Sequence, residues 1–569
     1  MKNMDCLYLE IYSDPILGGK VTVPLQTLIS LFILDFVKSP AVELRLIPSA
    51  ASEKQGFQAR LRHPFKVTKL EDAPTCAKNC ILPVVEVGAD KTCVAGLCAV
   101  LRQVVKSTLK EHPGHFSRAL LGFREGCLMA CAEASTWTRF CEVDIIAATQ
   151  QTLKVPCFHS PVTFPRDLVR FEHHMSQPLR IHNVRKVRQD HAKVADSELD
   201  HCFAEGPSLT LADMIILPCV HMLLSFVDSV YLKEHLPLVR KWLGLMRQQP
   251  GVEDALEQVV VRPQSKVLDS MFVQYIVPEV PNQSLYKSDP RRYKSKARTF
   301  TRQDELDESL LKVPVAPEYE SNPFGFDVSF DWEAVPQEAN PQGGQLLESR
   351  LERKGQQLEN LAKAALKLAQ NGDVIVDFCS GAGHLGIILA HFLPRCTVIL
   401  LENKEESLKR ARLRVNKLNL SNVTFYQCNL DYFKGPFDIG VSLHACGVAT
   451  DLVIQRCIHQ GACFVSCPCC YGSVQDNHQL SYPRSSLFQN TTLTLRDYLV
   501  IGHSADQTHD EHNHKTNQGK KCMAIIDTDR CTQAKEAGYR VHMSRLVPET
   551  CTPKNNLLVG VPKERHFLM

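Results

Sequence analysis

Apolar residues along this chain change their spacing from region to region, and each change marks a boundary. Over residues 1–110 they come in short runs separated by turn residues. LYLEIYS (7–13) and VELRLIPS (42–49) read as strands, and VPLQTLISLFILDFV (23–37) between them is long enough for a helix. After a loop, CILPVVEVGADKTCVAGLCAVLRQVV (80–105) predicts a proline-led hairpin running into an amphipathic helix. The predicted order is β, α, β, loop, β, β, α.

Residues 111–262 switch to helical spacing. Phe123, Cys127, Ala130, Ala134, Trp137 and Cys141 recur every three or four positions, which predicts one helix with an apolar face and cysteines packed as small hydrophobes. In LTLADMIILPCVHMLL (209–224), Thr210 stands where a cap would, Asp213 can reach back to it, and Leu209 with Met214 form the staple. Two polar stretches intervene. RIHNVRKVRQDHAK (180–193) reads as an exposed insertion, and a proline-rich connector covers 263–345. Within the connector, FGFDVSFDWEAVP (324–336) predicts an aromatic strap, with Trp332, against the domain that follows.

From 346 to 569 short apolar strands alternate with helical segments: TVILLE, VTFYQCN, FDIGVSLHACG and ACFVSCP are the strands after the first. Such alternation means a parallel sheet covered on both faces. The region ends in a helix closed by Gly538 and two further strands, AGYRVHMSRLVP and NNLLVGVP. Its opening stretch, DVIVDFCSGAGHLG (373–386), carries the chemistry. Val374, Ile375, Val376 and Phe378 suit a doubly buried strand. Gly381, Gly383 and Gly386 then let the backbone turn tightly against a ligand, and the N–H groups from His384 onward face it.

Composition narrows these options. At ~150 residues per domain, 569 residues suggest three or four domains with their own cores. A net charge of +3 excludes a wholly basic nucleic-acid binder, so any such surface is local. The 23 cysteines, an odd number, fit reduced thiols better than a disulfide framework. The N-terminus has no signal-peptide core, and the longest apolar run, LISLFILDFV, contains Asp35 and is too short to span a bilayer. Cytosol or nucleus is expected, with cytoplasm the default and no membrane partner.

Asp377 through Gly383 read D-x-C-x-G-x-G. This resembles the first motif of S-adenosylmethionine-dependent methyltransferases, D-x-G-x-G-x-G, with Cys379 in place of the first glycine. Glu402, 25 residues after Asp377, ends the second strand, where a carboxylate can accept both ribose hydroxyls. Asn429 and Leu430, after the third strand, would lie beside the adenine. The resemblance implies S-adenosyl-L-methionine as cofactor, bound by Asp377, Cys379, Gly381, Gly383, Glu402, Asn429 and Leu430.

Chemistry is expected where strands four and five end, in SLHACGVATD (442–451) and SCPCCYG (466–472). The first string resembles the H-x-C-G-x-x-T-D signature of a subset of RNA methyltransferases, notably a transfer-RNA 2'-O-methyltransferase family. His444 is the candidate base for a hydroxyl acceptor. Thr450 or Asp451 is expected to cap the next helix, and Asp451 also stands in the signature. Cys446, Cys467, Cys469 and Cys470 admit three readings: a zinc site, a nucleophile at Pro468-Cys469 attacking a pyrimidine ring, or the lining of a narrow pocket. C-x-C-C lacks the usual C-x-x-C spacing, so pocket lining is preferred and no metal is assigned. The candidate catalytic set is therefore His444, Cys446, Asp451, Cys467, Pro468 and Cys469. His503, His509, His512 and His514 read as a polar surface loop.

The N-terminal order resembles the thioredoxin-like domain of glutathione S-transferases, with Leu82-Pro83-Val84 at its cis-proline loop. Ala95-Gly96 replace the pair that holds glutathione in that family, and Ser13, its one candidate for thiol activation, reads better as a turn residue. The Thr210 box with LPLVRKWLGLMRQQPGV (236–252) resembles the helical C-terminal domain of the same enzymes, which implies a fold and a docking surface. Nearly the whole chain resembles one family, the glutathione S-transferase C-terminal domain-containing proteins.

The expected class is a multidomain α/β protein. A thioredoxin-like α/β domain (1–110), an all-α glutathione-transferase-C-like domain (111–262) and a linker (263–345) precede a Rossmann-like methyltransferase domain (346–569). The expected function is RNA methylation, with the first half docking a protein partner or a second copy. A non-enzymatic scaffold is the alternative. KSDPRRYKSKARTFTR (287–302), with Tyr286, Tyr293 and Phe300 interleaved, is either a solvated linker, the preferred reading, or an RNA-binding arm.

Overall fold

Strand propensity and helix crossovers set the architecture of both halves. The computed structural model describes residues 4–49, 56–88, 92–132, 135–154, 161–179, 201–225, 227, 229–260, 274–286, 302–321, 328, 330–344, 347–476, 479–508, 513 and 515–565. The insertion at 180–193, the basic stretch 287–301, and His509, His512 and His514 lie outside the described residues. The chain forms two units, Met1–Lys296 with Tyr432–Lys434, and Ala297–Asp431 with Gly435–Met569.

In the N-terminal unit, β1 (Asp5–Ile11) pairs in parallel with β2 (Val42–Pro48), because α1 (Leu25–Val37) crosses between them. β3 (Phe65–Val67) extends that side. The hairpin β4 (Val84–Val87) and β5 (Thr92–Ala95) adds antiparallel to β1 and leads into α2 (Leu97–Glu111). The Leu82-Pro83 peptide is cis. The helices α3 (Ile145–Leu153), α4 (Arg166–Ser176), α5 (Leu211–Leu224) and α6 (Pro237–Arg247) follow. One apolar core runs through strands and helices alike, from Leu7 and Phe32 to Phe171, Ile215 and Trp242, so residues 1–110 and 111–262 share it.

The predicted box at α5 is present. Asp213 accepts the Thr210 amide at 2.9 Å and hydroxyl at 3.0 Å, and also the Ala204 amide at 2.7 Å and the Trp242 indole at 2.8 Å. The single helix expected from Phe123 to Cys141 is not formed. Phe123–Glu125 is one 3-10 turn with Arg124 at φ +51°, and helix begins only at Thr136. The Arg102 guanidinium takes the carbonyls of Glu125 and Cys127, acceptors that a continuous helix would need. Ser13 accepts the Thr22 amide at 2.8 Å, a turn contact. Tyr286 is buried in the core, its hydroxyl donating to the Ala204 carbonyl, so it is not an aromatic open to stacking on a base.

In the C-terminal unit, α7 (Gln303–Leu311) and α8 (Glu348–Leu368) precede the sheet. Then come β6 (Val374–Phe378), α9 (His384–Phe392), β7 (Thr397–Glu402), α10 (Glu405–Lys417) and β8 (Val423–Gln427). β9 (Ile439–Ser442), α11 (Val448–Gln460) and β10 (Cys463–Ser466) continue it. The chain closes through α12 (Leu495–Ala505), α13 (Lys515–Glu536), β11 (Tyr539–Arg545) and β12 (Asn556–Pro562).

These seven strands pair in the order β11, β12, β10, β9, β6, β7, β8. The five from β10 to β8 are parallel, and β12 runs antiparallel between β10 and β11. The order reverses between β6 and β9, and their carboxyl ends open the crevice where such sheets bind ligands. Of the expected strap, residues 324–327 and 329 lie outside the described residues; in the rest, the Trp332 indole donates to Glu359 at 3.0 Å and Phe330 packs on Trp332 and Phe392. Lys312, at the end of α7, pairs with Asp497 at 2.9 Å, so the last part of the expected linker belongs to this unit. Beside α12 and α13 lies a second core built on Tyr471, Phe488, Tyr498 and Ile525. Among the described residues no helix is long and apolar enough to cross a membrane.

Candidate functional site

At the end of β6 the backbone enters the left-handed region at Cys379 (φ +56°), Gly381 (φ +56°) and Gly383 (φ +72°). A cysteine can adopt this conformation at a cost of about 1–2 kcal/mol, which is how it occupies a position where glycine is strain-free. Gly383 is needed twice over, since an added Cβ would also sit 2.9 Å from Leu400 Cδ1. A Cβ at Gly386 would meet Leu400 Cδ2 at 2.2 Å, so α9 packs on β7 only through that missing atom.

Two acids fix the loop. Asp377 is buried and accepts the Gly386 amide at 2.9 Å; loss of hydration pushes its carboxyl up to about 7. Glu402 accepts the Gly381 amide at 2.8 Å on one oxygen and the Lys404 amide at 2.9 Å on the other. From α10, the buried Arg414 donates to the Ala382 carbonyl at 3.0 Å and the Glu338 carbonyl at 2.7 Å.

A cavity of about 720 Å³ opens beside this loop, lined in part by Asp377, Cys379, Gly381, His384, Leu443 and His444. Helix α8 adds Arg350, Arg353, Lys354 and Gln357, and α10 adds Arg410. Asp377 is the one acid on this wall, so the cavity is basic. Lys354 Nζ lies 2.6 Å from His444 Nε2. Burial pushes the Lys354 amine down to about 8, with Asp377 opposing. His444 is exposed, and packing at one side of its ring removes part of its hydration. That loss of hydration, with the Lys354 charge, pushes it down to about 4.

The expected cofactor residues Asp377, Cys379 and Gly381 meet at this cavity, with Gly383 and Glu402 behind the loop. Asn429 and Leu430 do not line it, and Leu430 packs against the second core instead. The expected catalytic set does not assemble as one group. Cys446, Cys469 and Cys470 converge, with Cys446 Sγ 3.3 Å from Cys469 Sγ and 3.2 Å from Cys470 Sγ. The sulfur contacts with Cys446 and Cys469 hold Cys470 well below the usual thiol range, and the contacts with Cys446 and Cys470 push Cys469 up. Cys467 and Pro468 face away: both are buried, and the Cys467 thiol donates to the Lys554 carbonyl at 3.3 Å.

Asp451 is a correction. Its carboxylate is fully buried, bidentate with Arg530 at 2.7 and 2.8 Å, and accepts the Tyr482 hydroxyl at 2.8 Å. Every oxygen is spent on the core, so it neither caps nor catalyses. Thr450 is also not a cap: α11 starts after Gly447, and the Thr450 hydroxyl donates to the Ala445 carbonyl. The basic wall was missed in sequence, although Arg350, Arg353, Lys354 and Gln357 stand at i, i+3, i+4 and i+7 and so share one helix face.

Comparison with known proteins bears on both units. A family model described as a methyltransferase domain matches residues 352–477, which span the loop, the acids and the cysteine turn. A solved structure of magnesium protoporphyrin IX methyltransferase from Synechocystis with bound SAM is similar over 38% of this chain and 86% of its own, at 12% identity and TM-score 0.24. Curated relatives align over both units. A glutathione S-transferase C-terminal domain-containing protein homolog of Drosophila melanogaster is 39% identical over 98% of this chain and 99% of its own. The proteins of that name in Mus musculus and Homo sapiens are 33% and 34% identical, over 98% and 95% of this chain. Since identity at this level runs through both units rather than through the methyltransferase domain alone, the chain belongs to the family of glutathione S-transferase C-terminal domain-containing proteins.

Proposed function

We propose that this chain is a cytoplasmic S-adenosyl-L-methionine-dependent methyltransferase acting on RNA. Its N-terminal unit, read as a glutathione-transferase-like fold, docks a protein partner or a second copy. The observation that carries the reading is the basic cavity at the sheet's switch point, walled by the Asp377 to Gly383 loop.

The residues present fit the cofactor. Asp377 offers a dehydrated carboxylate to a cationic ligand, the left-handed loop leaves the backbone open beside it, and each Glu402 oxygen keeps a lone pair for a ribose hydroxyl. When bound, the cofactor supplies an electrophilic methyl group on a sulfonium. The chain's own work is orientation and proton removal. At about 4, His444 is neutral and a poor proton sink at neutral pH. Lys354, at about 8, is the better-matched base in its free-amine form, and His444 positions it. The base is thus placed at Lys354, where the sequence alone placed it at His444. Arg350, Arg353 and Arg410 suit an acceptor carrying phosphates.

The test is transfer of labelled methyl from S-adenosyl-L-methionine to RNA purified from cells lacking the protein. Label should enter RNA, disappear with Asp377→Ala and fall by about 10²-fold or more with Lys354→Met. Label entering only protein, or none entering RNA with the intact chain, would refute the reading.

A further inference from the structure

The turn after β10 reads Cys467-Pro468-Cys469-Cys470, which by its own spacing makes no metal site. Topology changes that. β9 and β10 are adjacent and parallel, so the segment after β9 runs alongside the turn after β10. Cys446 forms a parallel bridge with Cys469, and the Gly447 amide donates to the Cys469 carbonyl at 3.1 Å. A cysteine 23 residues upstream of Cys469 thereby completes a set that the local spacing lacks.

We propose that Cys446, Cys469 and Cys470 form a three-thiolate site for one thiophilic d10 cation, Zn²⁺, at the carboxyl ends of β9 and β10. The three sulfurs all lie within 4.8 Å of one another. Tetrahedral zinc about 2.3 Å from each sulfur requires them about 3.8 Å apart, so the closer contacts need open by only about half an ångström. Soft thiolates select such an ion over the hard cations that carboxylates hold. Cys446 is exposed and the other two half-buried, so the ion can enter from solvent and the thiol protons leave with water.

The turn is built to hold Cys470 in place. Its backbone is left-handed (φ +55°), and the next two amides, of Tyr471 and Gly472, both donate to the Asp506 carboxylate, at 3.1 and 2.8 Å. Asp506 is paired in turn with Lys554 at 2.9 Å, which fixes the carboxylate that holds the turn. Three protein ligands leave a fourth position open to water or to an acceptor group. Cys467, packed away on the Lys554 carbonyl, is no ligand. The site is independent of the methyl-transfer reading and would persist if the protein transferred no methyl group.

The full-length protein, purified reduced and stripped with a chelator, is titrated with Co²⁺ and then Zn²⁺. A thiolate-to-cobalt charge-transfer band should saturate at one equivalent and be displaced by zinc. It should vanish, with zinc affinity falling at least tenfold, in Cys446→Ser, Cys469→Ser and Cys470→Ser, and survive in Cys202→Ser. Thermal melting identifies any variant that fails to fold. Cys446→His, at an exposed position, should retain cobalt with a weakened thiolate band. No thiolate band, a band untouched by the three serine variants, or a Cys446 disulfide to Cys469 or Cys470 without metal in the protein as isolated would overturn the proposal.

Discussion

Asp377 sits with one backbone donor and almost no water, and it is held near neutrality for that reason. The sign of its pH dependence follows. In the free protein a raised carboxyl binds a proton that the unfolded chain has lost, so its contribution to stability falls as pH rises from about 4 to about 7 and is level above. A cationic ligand beside it expels that proton. Affinity for S-adenosyl-L-methionine should therefore rise by up to about tenfold per pH unit below about 7 and plateau above it. Asp377→Asn should bind weakly and show no such slope; equilibrium dialysis across this range reads both. The acid and glycines were legible because their spacing is local. Cys379 was legible as a departure, but that a left-handed backbone tolerates it was visible only in three dimensions. The partner of Asp451 was hidden because Arg530 lies far along the chain on α13; Cys446 was already grouped with Cys469 and Cys470 in sequence, and the parallel pairing of β9 and β10 is what brings their sulfurs together.

Elements with a clean hydrophobic period were read correctly, and the alternating strands and helices from β6 to β12 are the clearest case. One stretch misled. The residues from Phe123 to Cys141 carry a helical stripe, but Arg102 claims the carbonyls that would continue the helix. Helix α13, the expected helix closed by Gly538, carries on its buried side Cys522, Ile525 and Ile526 together with the charged Asp527, Asp529 and Arg530. Those groups are satisfied in pairs: Arg530 bonds Asp451 and Asp527, and Asp529 accepts the hydroxyls of Ser485 and Tyr498. Removing the cation leaves two acids buried without it. Arg530→Ala should cost about 3–5 kcal/mol, read from the denaturant midpoint at unchanged slope. A loss under about 1 kcal/mol would mean that the pair is hydrated in solution.

On the scale of the whole molecule, composition pointed to several domains, whereas burial groups the chain into two units. Residues 1–110 and 111–262 were separable by the period of their apolar residues, yet they bury one common core, which periodicity along a single element cannot reveal. More than half of the connector, from Ala297 onward, belongs to the C-terminal unit, which Lys312 and Trp332 contact through distant partners. What remained readable throughout was the family likeness and the glycine loop at the end of the first strand of the C-terminal sheet. The central claim is that the cavity beside the Asp377 loop holds an adenosyl cofactor. Calorimetric titration of the full-length protein with S-adenosylhomocysteine tests it most directly, repeated with Asp377→Ala and Glu402→Ala. Saturable binding at one equivalent, weakened at least tenfold in both variants, is the predicted result. No binding by the intact protein, or binding that neither substitution changes, would contradict it.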